Sequence, residues 1–156
     1  MKQLLEKAFA LVTAAALFCF ALYMLWPHSF AALQPDCDSI TILCTDTAED
    51  CSLITTKETY SADSPELAQI MDILSRCTYH RTFQTLTGAN STEGNHAGYW
   101  LDVYLDHGDD RVDFTCGGTG EVLIDGLAWR IGYWGDRASL AMMQELSDVF
   151  AQQRPN

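Results

Sequence analysis

Apolar and polar positions divide the chain into one long uninterrupted apolar run followed by shorter periodic segments. From Ala8 to Trp26 nineteen residues pass without a charge. As a helix this run rises roughly 28 Å, close to the hydrocarbon thickness of a bilayer. Lys2 and Lys7 precede it and the next basic residue is Lys57. The positive-inside rule therefore predicts residues 1–7 in the cytoplasm, a transmembrane anchor over 8–26 and the remainder outside the cell membrane. The competing expectation is a signal peptide cleaved after Ala31, where Ser29 and Ala31 supply small residues, with secretion of the rest. Residues 27–37 carry two prolines and no periodicity, and read as a tether to a domain over 38–154.

Within that domain "SITILCT" and "SLITTKETY" are strand-length runs flanking the polar "DTAEDC", which predicts an antiparallel pair. Asp63-Ser64-Pro65-Glu66 then offers a helix cap, an early proline and a Glu, and Leu67, Ile70, Met71 and Leu74 recur at helical spacing. "TYHRTFQTL" reads as a strand and "TGANSTEGNHAG" as a surface loop that contains the sequon Asn90-Ser91-Thr92. In "YWLDVYLDH" the set Tyr99, Leu101, Val103 and Leu105 alternates with Trp100, Asp102, Tyr104 and Asp106, the mark of a half-buried strand. "RVDFTC", "EVLI" and "LAWRIGYW" continue as strands, the last two joined at Asp125-Gly126. Leu140, Met143, Leu146, Val149 and Phe150 form a closing helical stripe. The expected fold class is α+β: an antiparallel sheet with two amphipathic helices packed on one face, preceded by the transmembrane helix or signal peptide.

Charge narrows the partners. Removing Lys2, Lys7 and Glu6 from the totals leaves 20 acidic and 7 basic residues beyond the apolar run, a net charge of −13. Nucleic acid is excluded as an expected partner, because binding it requires cationic side chains to displace counterions. The membrane, through residues 8–26, an envelope protein and a small ligand remain. Five cysteines follow the run, so at most two disulfides form, and a Cys44–Cys51 bridge across the short polar loop is geometrically the simplest.

Reactive chemistry finds little support. Cys116-Gly117-Gly118-Thr119-Gly120 resembles an anion-cradling loop, yet a strand follows it where a phosphate loop opens a helix, so the glycines read as a turn. Cys77 and His80 form a close pair with no second pair to complete a zinc site, and Asp106, Asp109, Asp110 and Asp113 lack the register of a calcium loop. No cofactor, metal or catalytic residue is expected. The strongest candidate contact is the outward set of the 99–107 strand, Trp100 and Tyr104 with Asp102 and Asp106. Aromatic rings beside carboxylates suit cationic or sugar-like ligands, and such rings anchor interfaces.

The order "SPELAQIMDILS", "GYWLDVYL", "GEVLIDGLAWRIGYW" resembles, over about 100 residues of layout, small secreted or membrane-anchored domains of Gram-positive bacteria that have no known function. The resemblance implies a bacterial cell-surface protein and supplies no catalytic residue. The leading expectation is a membrane-anchored extracytoplasmic binding or sensory domain. A structural or assembly accessory of a cell-envelope complex comes second, and a cysteine-dependent enzyme third.

Overall fold

A computed structural model describes residues 2–33, 37–47, 53–87, 100–118, 120 and 122–151. The apolar run lies in helix α1 (Lys2–Leu25), which buries none of its residues. A two-residue strand β1 (His28–Ser29) and a helical turn α2 (Phe30–Leu33) lead into β2 (Ser39–Thr47) and β3 (Leu53–Ser61). Helix α3 (Pro65–Arg76) begins where the sequence places it. The Ser64 hydroxyl accepts the Leu67 N–H at 3.2 Å, Pro65 needs no partner for a missing N–H, and Leu67, Ile70, Ile73 and Leu74 are buried.

The segment expected as one strand after α3 divides into β4 (Thr78–Arg81) and a short helix α4 (Phe83–Thr87). Thr82 and Thr85 enforce the change of structure. The Thr82 N–H donates to Thr85 Oγ1 at 2.8 Å while the Thr85 N–H donates to Thr82 Oγ1 at 3.3 Å, a reciprocal cap that starts a helix. Strands β5 (Trp100–His107), β6 (Asp110–Gly117), β7 (Val122–Ile124) and β8 (Leu127–Ile131) form a meander, and α5 (Arg137–Ala151) closes the chain. Asp125 and Gly126, at φ 51° and 74°, make the tight turn between β7 and β8.

The protein is therefore α+β, built on an eight-stranded sheet in the order β1-β4-β8-β7-β6-β5-β2-β3, in which all neighbours are antiparallel. Pairing register aligns apolar positions across it. Cys44, Leu101, Cys116 and Val122 form one row, and Ile42, Val103, Phe114 and Ile124 form the next. These rows join one core cluster with Leu67, Ile70, Ile73 and Leu74 of α3 and with Met142, Leu146, Val149 and Phe150 of α5. The buried stripe of α5 is rotated from the one expected. Met142 is buried where Leu140 is exposed and Met143 only half-buried, so that Ser139 and Met142 lead the buried stripe into Leu146, Val149 and Phe150.

Phe30 has no exposed surface, with its ring centroid 5.8 Å from that of Tyr79 and 6.1 Å from that of Phe114. The segment read as a tether thus contributes an edge strand and a core ring to the fold. At the other end of the core, Gly120 has φ +84° and approaches the α5 entrance so closely that an added Cβ would lie 2.4 Å from Asp136 Cβ. Gly120→Ala combines left-handed strain with this clash. It is expected to destabilise the domain by roughly 1–3 kcal/mol, read as a lower urea midpoint at unchanged slope.

Candidate functional site

Strand β5 presents its alternating side chains as the sequence period requires: Leu101, Val103 and Leu105 are buried, and Trp100, Asp102, Tyr104 and Asp106 are half-buried on the opposite face. The four expected contact residues therefore lie along one line of one face. Their neighbours come from pairing register. Asp102 stands between Leu43 and Thr115, Tyr104 between Thr41 and Asp113, and Asp106 between Ser39 and Arg111.

Hydrogen bonds fix the carboxylates. The Thr115 hydroxyl donates to Asp102 Oδ1 at 2.7 Å, and Arg111 Nε–H donates to Asp106 Oδ1 at 2.6 Å. The same guanidinium lies 5.3 Å from the Tyr104 ring centroid, within cation–π range. Partial burial raises the Tyr104 hydroxyl pKa, and the negative charges of Asp102 and Asp113 raise it further. Asp113 is itself held above the usual carboxylate range, first by burial and then by Asp125. The patch is thus an aromatic stripe among crowded carboxylates, with Arg111 as the cation that bonds to it. Arg111 and Thr115 were not singled out from sequence. The signal lay in the turn at Gly108-Asp109, since the pair His107–Asp110 dictates every later partner of β5.

The thiols are placed for packing. Cys116 is 1% exposed and its pKa is pushed up to about 12, chiefly by burial and then by Asp102. It ends β6 opposite Leu101 and Val122, and Gly120 N–H closes the following turn onto the Gly117 carbonyl at 2.9 Å. Cys37 donates to the Ser39 carbonyl and Cys77 to that of Ile73, and burial raises both thiols. Cys44 is a buried free thiol, and no disulfide forms among the described residues. Cys51, the other half of the expected bridge, lies outside them, as do Asn90, His96 and Tyr99.

His80 bonds to the Leu25 carbonyl and His107 to Asp38, so neither has a thiol as its partner. Of the acidic residues near the β5–β6 turn, Asp106 bonds Arg111, and Asp113 accepts through its backbone carbonyl from Asp125. Among the described residues no group of three or more His, Cys, Asp and Glu is arranged to hold a metal ion. Compared with protein-family models, curated proteins and solved structures, the chain matches none.

Proposed function

We propose that the chain is a single-pass membrane protein that holds an extracytoplasmic binding module against the membrane surface through a retained anchor. The observation that carries this reading is the splice between anchor and domain. Cleavage after Ala31 would remove β1, which pairs with β4, and Phe30, which has no exposed surface. It would also remove Tyr23, whose ring lies 4.2 Å from the Arg81 guanidinium carbon, and the Leu25 carbonyl that His80 binds. A signal peptide does not ordinarily supply the core of the protein it is cut from. Helix α1 itself, 24 residues long and unburied, is apolar enough to cross a bilayer.

Two measurements on cells expressing the full chain test this. The mature N-terminus is expected to begin at or next to Met1, and an alkaline phosphatase fused after residue 156 is expected to be active. A mature chain starting at Ala32, or an inactive fusion beside an active cytosolic reporter, overturns the reading.

The binding face in this proposal is the β5 stripe, and its partner is cationic, since Asp102, Asp106 and Asp113 outnumber Arg111 there. Titrating an oligolysine peptide into the protein is expected to shift the Trp100 and Tyr104 resonances before others. The double substitution Trp100→Ser/Tyr104→Ser is expected to abolish that response at a cost of about 2–4 kcal/mol, the loss for two half-buried rings. Peptide shifts confined to other surfaces would refute this face.

The accessory reading draws on a different feature. The nine-residue strand β3 is one edge of the sheet, opposite β1, with Leu53 and Ile54 exposed on it, and such edges accept an added strand.

A further inference from the structure

A pocket of about 250 Å³ opens where α1 meets the domain, lined among others by Leu25, His80, Arg81, Phe83, Arg130 and Tyr133. Its floor holds a buried polar atom that the fold leaves without a partner. His80 is 3% exposed, its Nδ1 lies 3.1 Å from the Leu25 carbonyl oxygen, and its Nε2 is buried with no hydrogen-bond partner. A carbonyl can only accept, so Nδ1 donates to Leu25, and Nε2 is left as a buried, unpartnered ring nitrogen in a residue that lines the pocket.

The walls are cationic in an otherwise acidic domain. Arg130 is the cross-strand partner of His80, and Arg81 is its neighbour along β4. Neither arginine forms an ion pair among the described residues, whereas Arg76 and Arg111 both do. Arg81 is instead held over the Tyr23 ring, which leaves its in-plane N–H donors available.

The rim is aromatic. Phe83 is 71% exposed, Tyr133 is also exposed, and adjoining segments carry the exposed rings of Trp26 and Trp134. Aromatic side chains of this kind settle at the level of lipid headgroups, and Phe83 and Tyr133 line the pocket together with Leu25, the last residue of α1.

From these three features together we infer that the pocket binds the headgroup of an anionic phospholipid that carries a free hydroxyl. Arg81 and Arg130 hold the phosphodiester, and the hydroxyl donates to His80 Nε2. The inference rests on α1 being a retained anchor, which brings the pocket to the headgroup layer. A soluble glycerol phosphate offers the same chemistry without the acyl chains.

The test uses the full chain in nanodiscs of phosphatidylcholine doped with phosphatidylglycerol, or with phosphatidylethanol, which has the same phosphodiester but no hydroxyl. Lipid retained by the protein is counted by native mass spectrometry. Phosphatidylglycerol is expected to be retained over phosphatidylcholine, and over phosphatidylethanol by roughly fivefold, the worth of one hydrogen bond. Arg81→Gln/Arg130→Gln, both at the pocket wall and outside the core, is expected to reduce phosphatidylglycerol retention about tenfold or more. His80→Phe is expected to erase the preference over phosphatidylethanol while sparing that over phosphatidylcholine.

Equal retention of all three lipids by a chain that stays embedded overturns the lipid site and leaves the anchor intact. A chain extracted from membranes by carbonate overturns both. Displacement of phosphatidylglycerol by equimolar glycerol phosphate shows a site for the free anion and overturns the lipid assignment.

Discussion

Replacing Phe30 with alanine is expected to lower the stability of the domain by about 3–5 kcal/mol, the usual loss when a buried phenylalanine leaves a cavity. The ring has no exposed surface and sits among Tyr79, Phe114 and the residues of α3, so the cavity is enclosed by strands and helices that cannot collapse into it without breaking register. Urea unfolding of the full chain in detergent, followed by tryptophan fluorescence, checks the value. Phe83→Ala is the control, because that ring is mostly exposed and its loss should move the midpoint little. A Phe30→Ala midpoint equal to the parent's would show that the segment after α1 is dispensable to the fold, and would reopen cleavage at Ala31.

Alkaline pH is expected to destabilise the protein through Cys116. Its folded-state pKa of about 12 lies above an ordinary thiol's 9.0. The fold therefore favours the protonated thiol. Below pH 9 both states hold the proton and stability is complete. Between pH 9 and 12 the unfolded chain ionises while the folded chain does not, and the difference drains roughly 4 kcal/mol from folding. Tyr79, whose pKa burial raises well above the ordinary tyrosine value, acts with the same sign from about pH 10. Urea midpoints measured from pH 8 to 11 should fall continuously in the parent and less steeply in Cys116→Ala. At pH 8 the native Cys116 should react with iodoacetamide about a thousandfold more slowly than the denatured one, since its thiolate fraction is smaller by that factor. Parallel midpoint curves for the two proteins would mean that Cys116 does not titrate out of phase with unfolding.

Elements with internal periodicity were legible in the sequence. Ser64-Pro65 with its spaced aliphatics located α3, period-two alternation located β5 and which of its residues face away from the core, and Asp125-Gly126 located a hairpin whose φ values only such residues adopt readily. What escaped notice lacked neighbours of its own kind. Phe30 is a single ring between two prolines, and a lone apolar residue gives no period from which burial can be read. The Thr82–Thr85 cap was hidden inside a run of β-branched and aromatic residues whose strand propensity is high, and the reciprocal hydrogen bonds outweighed that propensity. The pocket at the end of α1 was invisible because His80, Arg81 and Arg130 come together only when β4 pairs with β8.

Sheet order also governs the sequence of events as the chain folds. The pairs β2–β3, β5–β6, β6–β7 and β7–β8 join segments adjacent along the chain and can close as soon as each is complete. Three pairs cannot. Strand β2 must wait for β5, β4 for β8, and His28 for Tyr79, long loops whose closure is entropically slow. The residues that follow α1 are thus made first and docked late, and Phe30 stays unburied until Tyr79 and Phe114 have arrived. On the retained-anchor reading proposed above, a nascent chain held at the bilayer by α1 carries an uncovered aromatic beside the lipid surface throughout that interval, where the bilayer itself can shelter it from aggregation.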